Sequence, residues 1–174
     1  MIKITPYLVQ VVPYDERWPL LFDQEAVLIR KALGDNCIGV HHVGSTAVPG
    51  LAAKPVIDII PVVKDLRVVE GACAAMAELG YISKGEFGIP LRQFFIKQHG
   101  DVRTHNVHVY EEGYAEVDRL LRFRNWLRAH PADRDAYAAL KISLAQQFKS
   151  DVMVYSLGKD QFVQRIDALA GFSQ

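Results

Sequence analysis

Apolar residues at Leu21, Phe22, Ala26, Ile29 and Leu33 recur at the spacing of one helical face. They predict a helix from about Trp18 to Leu33, with Gly34 as its stop. Before it, "YLVQVV" (residues 7–12) is β-rich and ends at Pro13. After it, "CIGVHHV" (37–43) reads as a short strand that places Ile38, Val40 and His42 on one face. "VIDIIPVV" (56–63) reads as a second, mostly buried strand. "DLRVVEGACAAMAELG" (65–80) reads as an amphipathic helix capped by Asp65, with Gly80 past its end. "YIS", "RQFFIKQ" and "THNVHVY" read as further strands, with Gly85, Gly88, Pro90 and Gly100 marking turns. Beyond Tyr114 the period becomes helical, and Val117, Leu120, Leu121 and Leu127 fall on one side. Two more helices are predicted at Pro131–Phe148 and Gln161–Ala170. Strands early and helices late predict an α/β or α+β chain. We expect one domain over residues 1–174, a sheet-bearing core at 1–112 and a helical portion at 113–174.

Composition narrows the function classes. Half of the 174 residues are hydrophobic and 23% are charged, which is globular and argues against disorder. Lys plus Arg equals Asp plus Glu, so no net positive charge draws the chain to nucleic acid. Cys37 and Cys73 lack metal-ligand spacing and read as reduced, buried small hydrophobes. The N-terminus carries no signal-peptide pattern, and no apolar run reaches membrane-spanning length. The expectation is a cytoplasmic protein without a membrane partner.

Candidate chemistry concentrates in "HHVGSTAVPGLAAKPVIDII", residues 41–60. A carboxylate inside an apolar strand must be exposed, paired or bound to a cation. Alternation puts Asp58 on the side of Val56, Ile60 and Val62, at a strand end or in a cleft. The upstream turn at Gly44, Ser45 and Thr46 offers backbone N–H groups and hydroxyls suited to phosphate. Magnesium held by Asp58 and by phosphate oxygens would join the two.

Other residues carry two readings each. Lys54 can reach a phosphate near Ser45 or stand in solvent, and His42 can contact a ligand phosphate, orient the turn or fill the core. On "THNVH", Thr104, Asn106 and His108 share a face while His105 points away. His108 is therefore the candidate base or ligand, with a buried structural histidine as the alternative. Glu86 can serve as a second metal-binding carboxylate beside Asp58, as can Asp101 more weakly, though turn acids are usually solvated. Arg92 can clamp an anion or form a surface ion pair. Arg119, Arg122, Arg124 and Arg128, diluted by nearby acids, read as a solvated face.

The pattern apolar-Gly-Ser, twelve residues, Asp-apolar-X-apolar resembles the nucleotidyltransferase superfamily. More narrowly, "PYDERWPLLFDQE", "HVGSTAVPGLAAKPVIDI", "GEFGIPLRQFF", "RTHNVHVY", "RFRNWLRAHP", "YAALK" and "YSLGKDQFV" resemble the GrpB family in order over nearly the full length. The resemblance implies a nucleotidyltransferase-like mixed β-sheet with flanking helices and a helical C-terminal portion. It implies a nucleoside triphosphate or other phosphate-bearing partner. Gly44, Ser45 and Thr46 would then hold phosphate, Asp58 magnesium, and Lys54 and Arg92 the developing charge. Lys141, Tyr155 and Lys159 would cover a nucleotide. Two departures weaken transferase chemistry: Ile60 stands where a second strand carboxylate is expected, and Asn125 where aspartate is expected. The expectations are a magnesium-dependent transferase or a phosphate-binding module without turnover. An interaction domain, or a hydrolase using His108 and Asp58, ranks behind them.

Overall fold

The protein is described by a computed structural model covering residues 9–172. The predicted first strand begins at residues 7 and 8, outside that range. Of its remainder, Val12 forms one antiparallel bridge to Ala53, and the Val9 amide donates to Lys149 O. Pro13 has no N–H to extend the ladder.

Helix α1 (Trp18–Leu33) forms as the spacing predicts, with Pro in its first turn and Gly34 at φ 59° behind it. Ile29 and Leu33 are buried on its sheet-facing side. The strands are β1 (Cys37–Val43), β2 (Ile57–Val63), β3 (Tyr81–Ser83), β4 (Gln93–His99) and β5 (Val102–Glu111). They form one mixed sheet in the order β1-β2-β5-β4-β3, in which only β2 and β5 run parallel.

Period-two alternation gives each sheet face its own core. Ile57, Ile59, Val63, Phe95, Val107 and Val109 face α1, together with Trp18, Val69 and Met76. Val43, Ile60, Val62 and Tyr110 face the opposite way, toward Val117, Leu120 and Leu121 of α3 (Ala115–Ala129). The stripe predicted on α3 therefore divides. Its last member, Leu127, joins Val48, Leu51, Tyr137 and Ile166 in a separate cluster. Ile38 does not share the face of Val40 and His42. The β1 register slips between Cys37 and Gly39, which leaves Ile38 exposed.

The predicted helix at 65–80 is a 3₁₀ segment (Leu66–Ala72) followed by a short α2 (Cys73–Glu78). Asp65 does cap it, accepting from the Arg67 amide. Val68, Val69 and Gly71 are weak α-formers, which fits the tighter winding. The last third contains α4 (Pro131–Gln147), α5 (Val152–Leu157) and α6 (Asp160–Leu169). Helix α5 is absent from the sequence expectations. It is six residues long and is capped by Asp151, whose carboxylate accepts from Val154 N–H. Both cysteines are free thiols, Cys37 buried and Cys73 half-buried. Among the described residues no helix is long and apolar enough to cross a membrane.

Candidate functional site

The site grows from the end of β1. Val43 lies opposite Asp58 in the antiparallel β1–β2 pair, and the chain turns at Gly44. Gly44 has φ 73° and ψ −172°, a conformation nearly restricted to glycine. The Ala47 amide donates to Gly44 O and the Val48 amide to Ser45 O, closing the turn. The amides of Ser45 and Thr46 stay outside these turn bonds.

The turn is braced from three sides. His42 Nε2 lies 2.9 Å from Thr46 Oγ1, and the His42 ring stacks on Phe22 at 4.8 Å. Burial drives His42 down to about 4, so it is neutral at physiological pH and serves as a core brace. Arg124 donates to His42 O, and the Arg128 fork donates to Ala47 O. Two of the four arginines expected on a solvated face thus pin the turn to α3. The others pair with acids: Arg119 with Glu116 and Asp167, and Arg122 with Asp118. Val48 and Leu51 are buried among the late helices, each worth roughly 1.5–3 kcal/mol of burial.

Asp58 sits at the second position of β2, beside Asn106 of parallel β5. Asn106 Nδ2 donates to Asp58 Oδ1 at 2.9 Å, and His108 Nε2 lies 3.9 Å from the same oxygen. Burial pushes the Asp58 carboxyl up. The neighbouring His108 ring, the Asn106 amide hydrogen bond and the Lys54 charge outweigh it, so the group is held below the usual carboxylate range. Asn106 Oδ1 is buried and has no partner among the described residues.

A hollow of about 550 Å³ opens over these groups, a size suited to a small ligand. Gly44, Ser45, Thr46, Lys54, Asp58, Arg103 and Asn106 line it from the sheet side. Tyr137, Lys141, Tyr155 and Lys159 line it from the late helices. Lys141 Nζ donates to Ser45 Oγ at 2.8 Å and to Ala52 O. Lys54 and Lys159 both lie over the Tyr155 ring, at 5.5 and 4.5 Å. Burial, together with the charges of Lys159 and Lys54, lowers Lys141 to about 7. Burial and the Lys54 charge lower Lys159 to about 8. Burial also lowers Lys54, against the raising influence of Asp58.

The sequence-predicted residues divide accordingly. Gly44, Ser45, Thr46, Lys54 and Asp58 converge on the hollow, as do Lys141, Tyr155 and Lys159. Arg92 does not line it. Its guanidinium donates to Glu86 O and Phe87 O and to His108 Nδ1 at 3.2 Å. Arginine only donates, so His108 Nδ1 accepts and the ring proton sits on Nε2, toward Asp58. His108 Nε2 thus faces Asp58 from 3.9 Å, outside hydrogen-bond reach, while Arg92 holds the other side of the ring.

Glu86 lines a different hollow, and its carboxylate accepts from the Leu91 amide, so it is not brought to Asp58. Asp101 lies exposed in the β4–β5 turn, outside the hollow. Ile60 is fully buried, and Asn125 accepts from Arg124 on the α3 surface. Among the described residues no group of three or more His, Cys, Asp or Glu is placed to hold a metal ion. Sequence reading did not find the Lys141–Ser45 contact, the Arg124 and Arg128 braces, Arg103 or Tyr137. Their partners lie 81 to 96 residues away for the first three of these contacts, with no local pattern to mark them.

Comparison with known proteins agrees with this architecture. A family model described as GrpB protein matches residues 8–168. The UPF0157 protein YqkA of Bacillus subtilis is 40% identical over 156 residues, covering 90% of this chain. The chain spans 45% of that relative's length. A crystal structure of the conserved protein GrpB from Enterococcus faecalis superposes with TM-score 0.88 at 38% identity, over 92% of this chain and 96% of that one. The Cid1 poly(U) polymerase, in a MgGTP-bound crystal structure, matches with TM-score 0.54 at 8% identity, over 77% of this chain and 43% of that one. The latter likeness concerns the fold alone, which is nucleotidyltransferase-like.

Proposed function

The chain belongs to the GrpB family, and from that premise we propose that its hollow binds a nucleotide or another phosphate compound. One observation carries the reading: four cationic side chains, Lys54, Arg103, Lys141 and Lys159, face one carboxylate, Asp58, around the turn amides. Lysines gathered in a buried hollow repel one another, and a polyanion would relieve that repulsion. Ser45 and Thr46 would take phosphate oxygens on their amides, while Tyr137 and Tyr155 offer ring faces to a nucleoside. That the Cid1 poly(U) polymerase, a fold neighbour, is seen with MgGTP bound supports a nucleotide as the class of ligand.

The donor set fits one magnesium ion. Asp58 and the ligand's own phosphate oxygens would hold it, and it would neutralise phosphate charge. Buried Ile60 supplies no carboxylate for a second ion, which favours weak transfer or binding without turnover as the second reading.

The test is a thermal-shift panel of nucleoside mono-, di- and triphosphates and pyrophosphate, with and without magnesium, on the native chain and on Asp58→Ala. A ligand at 100 times its Kd adds about 2.7 kcal/mol of stability. Magnesium-dependent stabilisation lost in Asp58→Ala supports the transferase-like reading. Equal stabilisation with and without magnesium supports the binding module. No shift with any phosphate compound removes both.

A further inference from the structure

Lys141 reaches from α4 into the floor of the hollow and is 2% exposed. A buried ammonium is normally paired with a carboxylate. Here, among the described residues, the hydrogen-bond partners of Lys141 are the Ser45 hydroxyl and the Ala52 carbonyl, and no carboxylate lies within ion-pair distance. The groups facing it are Lys159 of the late helices, Lys54 of the loop before β2, and the Tyr137 ring, whose centre lies 4.7 Å from Nζ. Its amine and ammonium forms therefore coexist near pH 7.

A neutral amine 2.8 Å from a serine oxygen can accept that hydroxyl's proton. The serine stands on the turn whose own hydrogen bonds leave the Ser45 and Thr46 amides unused. Two further cations, Lys54 and Lys159, line the same space.

Building on the phosphate reading of this hollow, we propose that Ser45 is a covalent nucleophile toward a bound phosphoanhydride and that Lys141 is its general base. The Ser45 oxygen forms a bond to phosphorus as the bond from phosphorus to the bridging oxygen breaks. The bridging oxygen leaves with the electron pair, as pyrophosphate when the α-phosphorus of a nucleoside triphosphate is attacked and as the nucleoside diphosphate when its terminal phosphorus is attacked, and Lys54 and Lys159 offset its charge. The serine proton moves to Lys141 Nζ. Nothing is oxidised or reduced. Attack at the α-phosphorus leaves a nucleoside monophosphate on Ser45, and attack at the terminal phosphorus leaves a phosphoryl group. The amine thus does the activating work for which the chain lacks a second strand carboxylate, since position 60 is isoleucine.

The test uses the full chain with nucleoside triphosphates and magnesium, quenched in acid without an acceptor and read by intact mass and peptide mapping. Thermal shift is measured on the same samples. The expected result is one nucleoside monophosphate or one phosphoryl group per chain on the peptide bearing Ser45, lost in Ser45→Ala. The rate should climb with pH in the native chain. It should fall at least about 100-fold in Lys141→Arg, which keeps the charge but cannot shed it. Nucleotide-dependent stabilisation without an adduct on Ser45 would overturn the covalent step and leave the binding reading standing. Neither stabilisation nor adduct would end both. An adduct elsewhere, or one formed equally fast by Lys141→Arg, would also overturn it.

Discussion

A methyl group placed on Gly44 would lie 2.6 Å from Asp58 Oδ2. The turn backbone and the strand carboxylate thus share one contact surface, which only a residue without a side chain permits. Gly44→Ala must strain a backbone at φ 73°, ψ −172° and displace Asp58 together. The expected cost is about 1–3 kcal/mol in denaturant unfolding. The same variant should lose phosphate-dependent thermal stabilisation, because the Ser45 and Thr46 amides move with the turn.

The depressed lysines set the sign of a pH effect. Lys141 and Lys159, at about 7 and about 8 in the folded chain against 10.5 for an ordinary lysine, release protons on folding. Wherever the unfolded state binds more protons, stability rises with pH. The penalty is therefore full below about pH 7 and is relieved as pH rises from there toward 10.5. Anion binding works the other way, since it favours the charged amines. Phosphate affinity should weaken from pH 7 to 9, with proton uptake on binding. Calorimetry in buffers of different ionisation enthalpy reads that uptake, and a pH-independent affinity would remove the lysines from the contact.

The elements carried by a clear period were legible: α1 and β1 have the bounds that the spacing assigns, and the face shared by Asp58, Ile60 and Val62 follows from alternation. The Gly-Ser turn and Asp58 were legible because glycine, hydroxyl and a strand carboxylate are locally unusual. The cationic wall was legible only in part. Lys141 and Ser45 are 96 residues apart, and their contact exists because α4 folds back over the turn. Arg92 illustrates the opposite case. Its residue type suits an anion clamp, but its donors are taken by two carbonyls of its own turn and by His108.

Restoring a second carboxylate at position 60 should fail. Ile60 is fully buried among Val43, Val62 and Tyr110, with the α3 side chains above it. An ionised side chain there has no cation partner in that cluster. Ile60→Asp should lose about 3–5 kcal/mol of stability and gain no magnesium-dependent transfer. Chemical denaturation with a nucleotide-turnover assay checks both. Near-native stability would show that the position reaches the hollow.

Arg92 braces the turn between β3 and β4, where Phe87 and Leu91 hold φ of 46° and 60° without being glycine. Such residues persist only where their surroundings over-determine them. Here the surroundings are the Arg92 fork on Glu86 O and Phe87 O, the Glu86 carboxylate on Leu91 N–H, and Tyr114 donating to Pro90 O. Arg92→Lys keeps the charge but loses the fork, at a cost of about 1.5–3 kcal/mol for hydrogen bonds made by a charged group. Because Arg92 does not line the hollow, phosphate-dependent stabilisation should persist in the variant once its lower starting stability is subtracted. Selective loss of that stabilisation, with unfolding energy unchanged, would return Arg92 to the ligand and make the turn a mobile part of the site.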